Sequence, residues 1–151
     1  MQQWLSHSPF FILGSQRDNG IDCSPRGDAP GQAFRIIDAQ TIAIPDRRGN
    51  NRIDTLHNIL TDSRVGLVFL IPGIEEALRV TGRAAISIDP DLLAAFTLDG
   101  EPPATVILIT ITAAYVQNAR AIRSASLWDE QYRLLSEQVP GATDLSRNSP
   151  T

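Results

Sequence analysis

The sequence predicts a mainly β domain with short helices, an antiparallel barrel capped by helical segments. Strand-length apolar runs outnumber helical ones, turn signatures separate the first of them, and no strand–helix–strand alternation of a doubly wound sheet appears. The chain has 151 residues, a length that suits one core. Its 42% hydrophobic content excludes wholesale disorder.

The elements follow in order. Residues 10–15 form a strand candidate closed by Arg17-Asp18-Asn19-Gly20. Asn-Gly tolerates positive φ at both turn positions, so a second strand at 21–25 completes a hairpin. Residues 34–37 and 41–44 flank Asp38-Ala39-Gln40 as another hairpin. Residues 52–60 break the pattern. Ile53, Leu56, Ile59 and Leu60 fall on one helical face, with Asn51 as N-cap and Asp54 near the positive helix end. Asp62-Ser63-Arg64 ends that helix, and residues 66–71 are apolar on both faces, as in a buried strand. Pro72-Gly73 suits the centre of a type II turn.

Leu78, Val80, Ala84, Ile86 and Ile88 share one parity, while Arg79, Thr81, Arg83 and Ser87 share the other, giving a long strand with one buried face. Asp89-Pro90 supplies an N-cap and first-turn proline for a short helix through Phe96, with Leu92 and Leu93 inside. Residues 105–116 form a last strand, apolar on both sides, and 118–136 carry a helical pattern. Residues 1–136 are thus expected to form the domain and 137–151 a flexible tail. The tally is roughly six or seven strands and two or three helices.

Composition removes whole classes of chemistry. All 13 basic residues are arginine, so no Schiff-base lysine or phosphate-gripping Walker lysine is available. Cys23 is alone, and His7 and His57 are the only histidines, so neither an intrachain disulfide nor a multi-Cys/His zinc site can form. A net charge of −4 argues against nucleic acid as a partner. No run approaches the ~20 apolar residues of a membrane span. No positive region precedes the short apolar run at 9–13, so a signal peptide is not expected. A cytoplasmic location is the expectation.

One segment stands out. Pro45-Asp46-Arg47-Arg48-Gly49-Asn50-Asn51-Arg52 places three arginines against one aspartate, between a strand end and a helix start. Unpaired backbone N–H groups, a positive helix end and arginine forks together suit phosphate. The same residues also suit a solvated turn. In Ser24-Pro25-Arg26-Gly27-Asp28, Arg26 either reaches a ligand from the barrel mouth or pairs with Asp28. Arg120, Arg123 and Trp128 offer guanidinium and indole surfaces for a flat ring, and Trp128 equally suits a core or interface anchor.

Catalytic readings are weaker. No nucleophile-elbow motif surrounds any serine, so a Ser24–His57–Asp triad has no local support. His57 sits at the edge of the apolar helix face and reads as a packed histidine. Nothing local marks Cys23 as an activated thiol. Glu75-Glu76 reads as solvated.

Taken together in order, several motifs resemble the pyridoxamine 5′-phosphate oxidase-related flavin-binding split barrels, within a bacterial branch of that family. They are Ser24-Pro25-Arg26-Gly27-Asp28, then Ile44 through Arg52, then Asn58-Ile59-Leu60. Ser63-Arg64-Val65-Gly66-Leu67, Leu78-Arg79-Val80-Thr81-Gly82-Arg83-Ala84, Ile122-Arg123-Ser124 and Leu127-Trp128 follow. They span about residues 9–129. The resemblance implies a split-barrel homodimer with FMN at the subunit interface and a small-molecule substrate. Arg47, Asn50 and Arg52 would hold the FMN phosphate. Ile44, Pro45 and Asp46 would lie along the ring edge, with Ser24 and Arg26 nearby. Arg120, Arg123 and Trp128 would come from the end of the last strand and the following helix, reaching across the dimer.

Two departures qualify the match. Gln117-Asn118-Ala119-Arg120 stands where members of the branch carry His-Cys before a lysine. The tail 146–151 shows no basic motif like that with which the true oxidases grip pyridoxine phosphate, and a helix before the first strand is expected to be short or absent. Oxidation of vitamin B6 is therefore not expected. The resemblance implies an FMN-dependent oxidoreductase, with a flavin-binding or sequestering module as the alternative and a haem or deazaflavin split barrel ranked last.

Overall fold

The structure is a computed structural model describing residues 1–17, 20–29, 31–47, 54–118, 120–134 and 136–141. Its elements are α1 (Gln2–Leu5), β1 (Phe10–Arg17), β2 (Gly20–Gly27), β3 (Arg35–Ile36), β4 (Thr41–Asp46), α2 (Asp54–Thr61), β5 (Arg64–Leu70), β6 (Glu76–Ser87), α3 (Pro90–Ala95), β7 (Thr105–Asn118) and α4 (Arg120–Ser124). The strands form one antiparallel sheet in the order β2-β1-β5-β6-β7-β4-β3. Among the described residues no helix is long and apolar enough to cross a membrane.

Local chemistry accounts for most connections. Arg17 pairs with Gly20, so Gly20 belongs to β2 rather than to the centre of the expected Asn-Gly turn, and 18 and 19 lie outside the described residues. Gly73 has φ +83°, and the Ile74 N–H donates to the Ile71 carbonyl at 3.0 Å, closing the expected turn. The Asp89 carboxylate accepts from the Leu92 N–H at 2.9 Å, capping α3 above its first-turn proline.

Alternation builds the core. Phe11 and Leu13 from β1, Val65, Leu67 and Phe69 from β5, and Leu78, Val80 and Ala84 from β6 point to one side and are buried. Ile42 and Ile44 from β4 join Ile107 and Ile109 from β7. Phe11, Phe34 and Phe69 form an aromatic cluster with centroids 5.0–5.7 Å apart, in edge-on and tilted packings. The sheet curls so that edge strand β2 comes round to face the end of β4. β3 pairs only with Ile42 and Ala43, so among the described residues the edge of β4 away from β7 has no strand beside it at 44–46.

Several expectations need correction. Residues 118–136 are not one helix. β7 runs through Asn118 and α4 stops at Ser124, where Ser126 adopts φ +46°. There the Leu127 N–H bonds the Ile122 carbonyl and the Ser126 N–H bonds that of Arg123, a Schellman stop. Only a 3-10 turn at Glu130–Tyr132 follows, before a second at Ser136–Gln138. Ile88 is 73% exposed because β6 ends at Ser87, and Leu92 and Leu93 are half-buried while Phe96 takes the buried place. Residues 66, 68 and 70 of β5 are only half-buried, and the far half of β7 is exposed at Tyr115 and Val116. Of the expected tail, only 137–141 lie within the described residues.

Candidate functional site

The site lies in the seam between the end of β2 and the end of β4. β2 alternates: Ile21, Cys23, Pro25 and Gly27 face outward, while Asp22, Ser24 and Arg26 are half-buried on the side of α2. Pro25 and Pro45 stand on the two strands that face each other, and neither has an N–H to donate across the gap. The barrel therefore stays open here. A cavity of about 170 Å³ occupies the seam, lined by Arg26 and Asp28 from one side and Ile44, Pro45, Asp46 and Arg47 from the other.

Two guanidinium groups and two carboxylates meet at this cavity. Arg47 Nε lies 3.2 Å from Asp28 Oδ2, and Arg47 Nη1 donates to the Phe96 carbonyl at 3.3 Å. Arg47 Nε is buried and, despite the ion pair, makes no hydrogen bond. Asp28, which the sequence offered as a partner for Arg26, is thus taken by Arg47, and it also accepts from the Ala29 N–H at 2.7 Å. Arg26 instead donates through Nη2 to Thr55 Oγ1 at 3.3 Å. Burial pushes the Asp46 carboxyl above the usual aspartate range, and the nearby Arg26 charge opposes that rise only in part.

Thr55 was not among the residues the sequence singled out. The apolar stripe of α2 placed Leu56, Ile59 and Leu60 inward with Ile53. In the fold Thr55, Asn58 and Ile59 are buried, Leu56 is half-buried and Leu60 is 74% exposed, while Ile53 lies outside the described residues. The helix is rotated because its polar side chains find partners on the sheet. Asn58 Nδ2 donates to Ser15 Oγ at 2.9 Å, and Thr55 meets Arg26 and Ser24. Polar residues at helix spacing 55 and 58, beside the arginine-rich turn, were the available clue. The same rotation exposes His57, expected to be packed. Its place on the solvent side of α2, away from Ser24, gives a Ser–His pair no geometry.

The other expected residues fall elsewhere. Asn50 and Arg52 lie outside the described residues. Arg120, Arg123 and Trp128 follow the far end of β7. Asp46 pairs with Thr105 at the near end, and the 14 residues of β7 run roughly 40 Å at about 3.3 Å per residue. There Arg123 Nε bonds Glu75 Oε2 at 2.7 Å and the Trp128 indole donates to the Ile74 carbonyl at 2.9 Å, so both hold the β5–β6 turn. Glu75 is therefore paired rather than simply solvated. Within one chain, the structure gathers Ser24, Arg26, Ile44, Pro45, Asp46 and Arg47 but not these three.

A larger cavity, about 550 Å³, lies on the outer face of the sheet over Gly14 and Gly66, between Arg64 and Arg83. Arg64 is neutralised there by Asp62, whose carboxyl its guanidinium holds down to about 2. In the seam, by contrast, a buried guanidinium nitrogen is left without a hydrogen bond.

Residues 1–118 match the family model of pyridoxamine 5′-phosphate oxidase. The chain belongs to the pyridoxamine 5′-phosphate oxidase family. Solved structures share the fold. HupZ of Group A Streptococcus aligns with a TM-score of 0.63 and 14% identity, over 79% of this chain and 92% of its own. A Clostridium acetobutylicum protein of the pyridoxinephosphate oxidase family, related to general stress protein 26, aligns at 0.56 and 12%, over 77% and 84%. A FAD-binding protein of Mesorhizobium loti aligns at 0.53 and 16%, over 76% and 88%. No curated protein matches.

Proposed function

We propose that this chain is an FMN-binding flavoprotein, an FMN-dependent oxidoreductase of the pyridoxamine 5′-phosphate oxidase-related type acting on a small molecule. The observation that carries the reading is the pair of guanidiniums in a proline-edged seam, at the turn where family membership and the sequence both point to a phosphate. Arg47 Nε is buried against Asp28 without making a hydrogen bond, and among the described residues Arg26 makes one long hydrogen bond. Arg47 fits a phosphate monoester, which offers several acceptor oxygens to arginine forks, and Arg26 supplies a second positive charge beside the ring. FMN ends in such a phosphate group. The name of the Mesorhizobium loti neighbour, a FAD-binding protein, favours a flavin more broadly.

Arg47, with Asn50 and Arg52, would hold the phosphate, while Ile44, Pro45 and Asp46 would border the ring and Ser24 and Arg26 would lie beside them. Bound FMN would supply hydride or electron transfer, for which side chains have no equivalent. The seam cavity of about 170 Å³ is below the roughly 300–1,000 Å³ of small-molecule pockets, so one chain does not enclose the whole cofactor. That supports a homodimer in which Arg120, Arg123 and Trp128 of one subunit complete the site of the other.

Quenching of FMN fluorescence tests the assignment. Arg47→Ala and Arg52→Ala are each expected to weaken binding by roughly ten- to a hundredfold, the loss of a charge-assisted hydrogen bond. Wild-type affinity in both variants would overturn the phosphate site. Rapid mixing of the loaded protein with NADH or NADPH then separates turnover from binding alone, through the rate at which the flavin band bleaches.

A further inference from the structure

We propose that Thr55 is a positioning residue that orients Arg26 in the seam, through a one-way chain of hydrogen bonds anchored on Asp22. The inference rests on reading the seam as the cofactor site, and it names a residue that reading did not include.

Proton counting fixes the direction of the chain. Asp22, as a carboxylate, only accepts, so Ser24 Oγ donates its single proton to Asp22 Oδ2, at 3.1 Å. Ser24 and Thr55 hydroxyls lie 3.4 Å apart, and with the Ser24 proton committed, Thr55 is the donor of that contact. The Thr55 oxygen is then left as an acceptor, and Arg26 Nη2 donates to it at 3.3 Å. The chain therefore runs Arg26 to Thr55 to Ser24 to Asp22. Each link is longer than the usual range for its type, so the chain sets the direction of the guanidinium without clamping it.

Burial makes the hydroxyl expensive unless it is used. Thr55 is 4% exposed, at a position where α2 meets the sheet, and valine would fill the same volume without a polar atom to satisfy. Among the described residues, its hydroxyl links the helix to Ser24 and Arg26 of β2. Among the described residues Arg26 forms no ion pair: Asp28 is committed to Arg47, and Asp46 is near enough to feel the Arg26 charge without bonding it.

The test compares Thr55→Val with Thr55→Ser by two readouts. The first is the ¹⁵N relaxation of the Arg26 Nε–H in the protein without added cofactor, with the resonance identified by its loss in Arg26→Lys. The second is FMN affinity. Thr55→Val is expected to make the Arg26 resonance mobile and to weaken FMN binding about tenfold, with Thr55→Ser restoring both. Ser24→Ala, one link further out, is expected to loosen Arg26 as well, and it serves where Thr55→Val fails to fold. An Arg26 as rigid in Thr55→Val or Ser24→Ala as in wild type overturns the proposal, as does a serine variant no better than valine. If wild-type protein binds no FMN, the flavin reading fails while the relaxation measurement still decides the chain.

Discussion

The ion pair between Arg47 and Asp28 is the one charged contact joining the two sides of the seam among the described residues, and its worth can be worked out. At 3.2 Å and an effective dielectric near 20, the attraction is about 5 kcal/mol. Both side chains keep roughly a quarter of their exposure (27% and 25%), so desolvation takes back most of that. The net lies between the ~0–1 kcal/mol of exposed pairs and the ~3–5 kcal/mol lost on breaking a buried one, giving a coupling of about 1–2 kcal/mol. The test is a double-mutant cycle of Asp28→Asn and Arg47→Met, read by urea unfolding with tryptophan fluorescence. Methionine keeps the apolar stem in place. Asp28→Asn should cost more than Arg47→Met, because it leaves a half-buried guanidinium with only the Phe96 carbonyl. For a chain of 151 residues the coupling corresponds to roughly 3–6 °C in Tm. A coupling below about 0.3 kcal/mol would show that the seam is not held by this pair.

Four single positions give further expected outcomes. A Cβ on Gly82 would sit 2.5 Å from the Thr110 carbonyl oxygen and 2.9 Å from Ile109 Cγ2, so Gly82→Ala should cost about 3 kcal/mol. A Cβ on Gly66 meets nothing within 4 Å, so Gly66→Ala should be neutral or slightly stabilising; equal Tm losses would refute the contrast. Asp46 has a folded-state pKa raised by burial, so its contribution is most favourable below the ordinary value of 3.8 and declines as pH rises through the raised value. Asp46→Asn should therefore raise Tm relative to wild type more at pH 7 than at pH 3.5, and an equal difference at both would contradict the assignment. Ser126 holds φ +46° at the end of α4, so Ser126→Gly should stabilise by roughly 0.5–1 kcal/mol in thermal unfolding, and a loss would refute the cap.

How far the sequence reached is clearest element by element. The β6 alternation at Leu78, Val80 and Ala84 and the Pro72-Gly73 turn were legible because strand period and positive φ are local properties. The inward face of α2 was not. An apolar Leu60 lies in solvent while Thr55 and Asn58 are buried, because Ser15, Ser24 and Arg26 offer partners that only the folded sheet brings together. The long helix expected after Asn118 failed for a related reason. A left-handed serine and an indole bonded to the Ile74 carbonyl turn the chain back, and neither leaves a mark on apolar periodicity. At the site, the residue types on β2 and β4 were legible. The exchange of partners that gives Asp28 to Arg47 and Thr55 to Arg26 was not, since it depends on how the sheet curls.

Occupation of the arginine-lined seam by FMN is tested most directly by the visible spectrum of the purified protein, before and after adding FMN and desalting. The expected result is a flavin band that stays with the protein and, on denaturation, releases FMN rather than FAD. No band after reconstitution, or release of FAD, would contradict it.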